Sequence, residues 1–522
     1  MKITRKAAAA AAGVLGVLAA LPAHAETAGA DAEIALLKQQ LRLMEQKLDK
    51  LQKQTAANTA AAATANAKAD VKVSVANANA AYAKGPIAPP SGVVVTMPNN
   101  RPTICSADQQ NCVAITSRLH FDAGGYDYHP NSAATLPQRL DNGINTRRAR
   151  IGIVGKFLGD WNYSLVYDFG GTSDGFGGAA AGSLPGGGVS GVENAYLSYT
   201  GFKPFGGNLA IEGGIMDVPY TLEEATSSND ILFMERASAG IIATNIAAGD
   251  FRSAFGARWY NDSFWIGAYA TGPSSGAIHS ASSVTPNGAT EQLGTVVRAA
   301  GQVLSGKDYS FHLGGDAQFL IEPSHNLVTG AKTLTLSDRP ELRLDPTSLV
   351  STGAIAGVSG AQVYSAEAAG TYGSLYVQGE YFWYNIDRTA FAALPSLKFD
   401  GGYVQASYVL TGESHAYNAA SASYSGIKPA NPFSLAGGGW GAWEIAGRVS
   451  TVNLNDQIAT ANGVAGGRQT VYTAALNWYV NGNIRFMFDY LHGDVARQIS
   501  AVNAGDAGSK FDAFAMRTQV AF

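Results

Sequence analysis

The sequence predicts an all-β transmembrane barrel of about sixteen antiparallel strands, preceded by a short N-terminal periplasmic coiled-coil helix. Three observations predict it. Short segments alternate with period two between an apolar, aromatic-rich parity and a parity that holds the charges, which reads as strand and not helix. The connections between those segments are short and long by turns. Residues 1–25 read as an export signal, and no later stretch reaches the roughly 18 consecutive apolar residues of a membrane helix. A chain that leaves the cytoplasm without such a helix is either soluble outside it or a closed barrel.

Composition bounds the class. A chain of 522 residues is too long for one ordinary soluble domain unless its architecture is large and repetitive. It holds 61 glycines and 10% aromatics, but only 15% charged residues, well below the soluble average of about 25%. The net charge of −4 becomes −7 once Lys2, Arg5 and Lys6 leave with the signal (−4 − 3), and no nucleic-acid partner is expected.

The elements follow in chain order. Residues 1–25 have a basic start, an apolar run from Ala7 to Leu21 and an A-x-A ending at Ala25. In 26–54, Ile34, Leu37, Leu41, Met44, Leu48 and Leu51 are spaced 3, 4, 3, 4, 3, an a/d seam for a left-handed coiled coil. The segment 55–100 is rich in Ala, Asn and Thr, contains “KGPIAPPSG”, and reads as a spacer. Residues 101–116 hold the two cysteines of the chain, Cys105 and Cys112, and an exported protein is expected to close them into a small structural disulfide loop. The barrel is expected over 117–522, with strands near 117–125, 146–157, 161–169, 193–200, 208–215, 251–260, 264–270, 293–304, 309–320, 361–371, 374–384, 399–410, 440–450, 469–480, 484–492 and 512–522.

“RRARIGIVGKFLGDWNYSLVYDF” (147–169) shows the pattern most plainly. Arg148, Arg150, Lys156, Asn162 and Asp168 share one face, while Ile151, Ile153, Phe157, Trp161, Tyr163, Leu165, Tyr167 and Phe169 share the other. With “LGD” as the turn, Phe157 pairs with Trp161, Ile151 faces Tyr167 and Arg150 faces Asp168. Short connections “LGD”, “NDS”, “SGKD”, “YG” and “NGN” answer long ones at 170–192, 216–250, 271–292, 321–360, 451–468 and 493–511. That is the asymmetry of periplasmic turns and outer loops. One connection breaks it, since 411–439 falls where a short turn is due; it is expected to tuck into the barrel mouth. A soluble sandwich would also alternate, but it would not need one charge-free parity across so many strands, nor sort its loops by length. The chain closes on Phe514, Met516, Thr518, Val520 and Phe522 at one parity, a C-terminal aromatic strand that resembles the insertion signal of bacterial outer-membrane proteins.

“NTRRARIGIVGKFLGDWNYSLVYDFGG”, “ENAYLSYTGFKPFGG”, “LEEATSSNDILFMER”, “RPELRLDPTSLVSTGA” and “LNWYVNGNIRFMFDYLH” together resemble the phosphate-selective porin O and P family. The resemblance covers about 117–522 with its motifs in order, and a heptad ahead of the barrel also recurs in such porins. It implies a sixteen-stranded trimeric porin in the outer membrane, with inward-folding loops and an arginine-lined pore for phosphate-like anions.

No catalytic constellation is found, and no enzyme activity, metal or cofactor is expected. “GQVLSGKD” (301–308) has the spacing of a phosphate-binding loop, but Asp308 replaces the needed Ser or Thr and strands flank it. His312 and Asp316 share a parity and read as solvated lumen groups. The basic residues matter more. Arg118, Arg148, Arg150, Lys156, Arg252, Arg258 and Arg298 lie on the water-facing parity, joined by Arg448, Arg485 and Arg517. Asp122, Asp168, Asp316, Glu367, Glu380, Glu444 and Asp489 share that parity. Two readings stand: a mixed lumen whose charges pair across strands, or a partial arginine ladder for anions, whose fixed planar charge suits phosphate oxygens. Loop 216–250 is the expected constriction. It holds Glu223, Glu224 and Arg236 and has no lysine, so weak phosphate binding is expected. The expected function is passive diffusion of small hydrophilic solutes with anion preference, in a homotrimer surrounded by outer-membrane lipid. A general or sugar-type porin is the alternative, as is a structural tether making periplasmic contact through the coiled coil.

Overall fold

The computed structural model describes residues 46–47, 92–130, 139–170, 191–274, 290–389, 394–496 and 508–522, with the side chains of Asp250 and Phe251 excepted. The signal peptide, the coiled coil apart from helical Gln46 and Lys47, and the spacer up to residue 91 lie outside the described residues.

Sixteen long strands make up the barrel: β1 (Cys112–His129), β2 (Gly143–Phe157), β3 (Trp161–Asp168), β4 (Gly191–Tyr199), β5 (Asn208–Val218), β6 (Gly249–Tyr260), β7 (Phe264–Ser274), β8 (Leu293–Ser305), β9 (Tyr309–Glu322), β10 (Val358–Tyr372), β11 (Leu375–Arg388), β12 (Leu397–Val409), β13 (Ala442–Asp456), β14 (Val464–Tyr479), β15 (Ile484–Ala496) and β16 (Ser509–Ala521). Each pairs antiparallel with its sequence neighbours, and β16 closes on β1 from Lys510↔His129 to Ala521↔Arg118. Closure satisfies every ladder and leaves no edge in lipid.

Each sequence-predicted segment overlays one of these strands, and most strands run further toward the long-loop end. The reason is visible in β11 and β15. Outward residues of β11 run Leu375, Val377, Gly379, Tyr381, Trp383 and then Asn385 and Asp387; those of β15 run Phe486, Phe488, Tyr490 and then His492 and Asp494. Above the hydrocarbon layer the outer face turns polar, so the apolar parity fades while the hydrogen-bond ladder continues. In the hairpin of β2 and β3, Arg150 faces Asp168, Ile151 faces Tyr167 and Phe157 faces Trp161. Leu158 and Gly159 both have positive φ (49° and 77°), the backbone of a tight primed turn, for which Gly159 is suited.

Two boundaries differ from expectation. Val93–Thr96, inside the segment read as spacer, pairs with Thr103–Ser106, since three valines and a threonine favour extended backbone over a linker. The barrel wall begins already at Cys112, in the segment read as a disulfide loop, where 103–105 pair with 112–114 and Cys105 is disulfide-bonded to Cys112.

The outward parity is exposed: Ile151, Leu165, Trp383, Tyr490 and Phe514 are each about half accessible. Arginine at Leu165, facing lipid, should cost about 2–4 kcal/mol, and arginine at the inward Asn162 far less. Urea unfolding of the detergent-folded barrel measures this; equal tolerance would reverse the assignment of faces.

Candidate functional site

Among the described residues, three connections fold into the barrel and decide what its inner wall does. The first, 219–248 between β5 and β6, carries the short helix α1 (Leu222–Ala225) and α2 (Ser238–Ala247), nearly all buried. A chain segment inside a barrel must find partners for its backbone groups, and the wall supplies them. Carboxylates accept its N–H groups: Asp316 from Thr221 (3.1 Å), Glu380 from Leu222 (2.6 Å) and Glu223 (3.1 Å), and Asp489 from Met234 (2.8 Å). Guanidiniums and amides donate to its carbonyls: Arg485 to Ile231 (2.8 Å), Arg448 to Glu235 (2.9 Å) and Asn477 to Leu232 (2.9 Å). The Glu235 carboxylate is gripped by Arg147 (2.7 and 3.0 Å) and Arg517 (2.8 Å), with Arg343 at 3.7 Å.

The second, 323–357, brings Glu341 and Arg343 inward, both buried. Glu341 accepts from Arg448 (2.7 Å) and from the N–H of Ser238 (3.0 Å), so it fastens α2 to β13. The third is 410–441, on the short-turn end. It enters the lumen as a small hairpin, Tyr417–Asn418 against Ser423–Tyr424. Arg298 donates to the carbonyls of Ser421 and Ala422 (both 2.8 Å), and Trp265 to that of Ala420 (3.1 Å). Ser423 reaches the carbonyl of Ala225 (3.2 Å), so the two inserted segments meet inside the barrel.

Asp316, Glu367 and Glu380 lie within 4.8 Å of one another, the spacing of a cation site, but their oxygens are engaged. Glu367 accepts from Arg298 (2.8 Å) and His312 (2.9 Å), Asp316 from Ser365 (2.9 Å) and Thr221, and Glu380 from Tyr403 (2.5 Å) and α1. Gly314 gives Glu367 its room: a Cβ there would lie 2.2 Å from the carboxylate oxygen.

Among the described residues, two adjoining cavities lie beside the inserted segments. One of about 540 Å³ opens on the periplasmic end, lined by Arg101, Arg118, Lys428, Arg485 and Asp230 among others. The second, about 320 Å³, lies between the wall of β1, β2 and β4 to β6 and the inserted segments. Arg118, Ser227, Asp230 and Ser425 line both.

The sequence-predicted basic residues divide. Arg118, Arg150 and Arg258 line the inner cavity, as does Arg236 of the loop. Arg148, Arg252 and Arg298 are sealed, at 2, 4 and 1% exposure. Arg148 packs beside His120 (3.5 Å), and Arg252 donates to the carbonyls of Ala248, Asn245 and Gly272. Lys156 is half-buried near the β2–β3 turn and lines neither cavity. Arg150 pairs with Asp168 (2.7 Å) and Glu193, and Arg258 with Glu212 (3.2 Å). Most of these wall cations are thus engaged by carboxylates or loop carbonyls. In the loop, Arg236 pairs with Glu224 (3.2 Å) and donates to the carbonyls of Glu223 and Thr226. Glu223 accepts from the N–H of Ala237 (3.2 Å). His312 and Asp316 are buried anchors rather than solvated groups.

Sequence reading missed Arg147, Glu193, Glu341 and Arg343. The register shift between His120↔Arg148 and Phe121↔Thr146 turns Arg147 inward beside Arg148, and strict alternation cannot announce such a bulge.

Burial pushes the Glu223 carboxyl up to about 7, against the pull of Arg448 and Arg236. A carboxyl raised in the folded state costs stability where it is charged, so the loop gains as pH falls through 7 toward the ordinary carboxylate value. For Glu235, burial acts upward, but Arg147, Arg517 and Arg148 outweigh it and hold the group well below the ordinary range; its contribution is present above that range and lost in strong acid. The folded loop should therefore be most stable in mildly acidic buffer. Melting midpoints against pH check this, and Glu223→Gln should flatten the slope between about pH 5 and 7.

A family model described as phosphate-selective porin O and P matches residues 113–522. Porin O of Pseudomonas aeruginosa is 24% identical over 445 residues, 80% of this chain and 90% of that protein. An uncharacterized protein of Caulobacter vibrioides is 28% identical over 472 residues, 89% of this chain and 84% of that one. Among solved structures, the trimer form of the outer membrane protein OmpT of Vibrio cholerae aligns at a TM-score of 0.43 and 12% identity, covering 78% of this chain and 99% of that one. The anion-selective porin from Comamonas acidovorans aligns at 0.42 and 13%, with the same coverage. The family match runs through the closed barrel and all three inserted segments, and the chain belongs to the phosphate-selective porin O and P family, a porin of the bacterial outer membrane.

Proposed function

We propose that this porin passes small hydrophilic solutes by passive diffusion with a preference for anions, phosphate among them, and that it works as a homotrimer with 26–54 as a periplasmic coiled coil. The observation that carries the anion preference is the lining of the periplasmic cavity, where Arg101, Arg118, Lys428 and Arg485 stand against one acidic side chain, that of Asp230. A cleft of one sign with low-dielectric walls concentrates counter-ions at its mouth. Phosphate is held weakly on this reading. Loop 216–250 contains no lysine, and the Arg236 guanidinium is already turned to Glu224 and backbone carbonyls.

Reversal potentials in a salt gradient test it. The wild type should be anion-selective, and replacing Arg101 and Lys428 by Gln should move the potential toward cations, more so at low salt where screening is weak. Excess phosphate should leave most of the chloride current. A cation-selective wild type or an indifferent double variant defeats the anion preference; strong phosphate block defeats the weak site.

A further inference from the structure

We propose that the inner cavity selects for small zwitterions, solutes of amino-acid size that carry one cationic and one anionic group. The proposal rests on the chain being a diffusion channel, and not on its anion preference.

The lining is charged, but balanced. Arg118, Arg150, Arg236 and Arg258 face the cavity, and so do Glu193, Asp217, Glu224 and Asp230. Four cations meet four carboxylates in a space of about 320 Å³, room for on the order of ten waters. The charges come from different elements and are held in place. Arg118, Arg150, Glu193, Asp217 and Arg258 sit on or at the ends of β1, β2, β4, β5 and β6, the stiff wall, while Glu224, Asp230 and Arg236 belong to the inserted loop. The 410–441 segment supplies Asn418, Ser421, Ser423 and Ser425, all polar. Side-chain contacts fix the geometry: Arg118 donates to Ser228 (2.6 Å) and Ser227 (3.2 Å), Arg150 pairs with Glu193, and Arg236 lies 3.2 Å from Glu224.

Such a wall creates strong local fields and little net potential. A lone anion gains from the guanidiniums and loses about as much to the carboxylates, and the same holds for a lone cation. A neutral polyol exchanges hydrogen bonds with water for hydrogen bonds with the lining. A zwitterion can lay its carboxylate toward guanidinium and its ammonium toward carboxylate, so that both ends gain. Fixed charges make this cheap, because the wall is already oriented and little water must reorganise as the solute enters. The mouth and the cavity thus act on different properties. The basic periplasmic mouth responds to net charge; the inner cavity responds to charge separation.

Swelling of liposomes carrying the full chain, driven by serine, by a neutral polyol of similar size or by lactate, tests the proposal. Serine should enter severalfold faster than the polyol through the wild type. Arg150→Gln combined with Glu193→Gln removes one dipole without altering net charge, and should bring the serine rate down toward the polyol rate. A wild-type serine rate at or below the polyol rate overturns the proposal, as does an undiminished serine advantage in the double variant. The wild-type comparison needs no substitution, so a poorly folding variant does not spare the idea. If no solute enters, the diffusion reading itself fails. If the polyol and lactate enter and serine has no advantage, only the zwitterion proposal fails.

Discussion

Replacing Glu235 by alanine is expected to be the most damaging single change in the lumen, costing about 3–5 kcal/mol of folded-state stability and releasing the inserted 219–248 segment. Glu235 is 3% exposed and its two oxygens receive Arg147 at 2.7 and 3.0 Å and Arg517 at 2.8 Å. Arg517 also holds Asp122 through two bonds of 2.7 Å, so it keeps one carboxylate after the change. Arg147 loses both of its bonds to Glu235, and Arg148 and Arg343 stand nearby. Several guanidiniums would then share a low-dielectric site from which a neutralising charge has been removed, and their repulsion would push the loop away from the wall. A surface ion pair is worth less than 1 kcal/mol; this one sits where water cannot screen it.

The loss should appear in two measurements. Unfolding of the barrel in detergent should come at lower temperature, and single-channel conductance should rise and become noisy as 219–248 leaves the lumen. Glu235→Gln keeps the shape and an acceptor but not the charge, and should fall between wild type and alanine. A Glu235→Ala protein with wild-type stability and current would mean that backbone contacts such as Arg448 to the Glu235 carbonyl hold the loop without the carboxylate.

What could be read from the sequence and what could not have different physical origins. The strands were legible because lipid imposes its own rule: Ile151, Leu165 and Tyr167 must face outward whatever the interior does. The same rule placed Arg118, Arg150 and Arg258 inside. It says nothing of which inward charge meets solute. Arg298 and Arg258 look alike along the chain, yet Arg298 is closed over by the carbonyls of Ser421 and Ala422 while Arg258 lines a cavity. That distinction depends on where a segment more than a hundred residues away folds, and no local pattern encodes it. Segment 323–357 was equally silent. Its buried Glu341 and Arg343 lie in the turn between the short paired stretches Ser337–Asp338 and Val350–Ser351, which are too brief for any periodicity. The misplaced 411–439 connection was the exception. It stood out because its length broke an alternation that the barrel otherwise keeps.

Deleting 414–436 should produce the largest change in current. Val409 and Ala442 end and begin adjacent strands, with Val409 in register with Glu444 and Leu410 bonded to Trp443, so the residues left on each side can close as an ordinary periplasmic turn. The barrel ladder is untouched. What goes is the hairpin that supplies Asn418, Ser421, Ser423 and Ser425 to the inner cavity and Ser425, Gly426 and Lys428 to the mouth. The two cavities should merge, and conductance should rise severalfold. The cost in stability falls on the groups the hairpin covers. Arg298 loses two carbonyl acceptors, Trp265 loses one, and His415 no longer bonds Glu444 at 2.7 Å. Buried groups stripped of a partner cost about 1–3 kcal/mol each where water cannot replace it, but here the deletion itself admits water. The net loss should therefore be smaller than that of Glu235→Ala, although far more chain is removed. Anion preference should fall at the same time, since Lys428 leaves the mouth. An unchanged conductance in the deletion protein would mean that solute passes elsewhere in the lumen, and the two cavities would then not be its path.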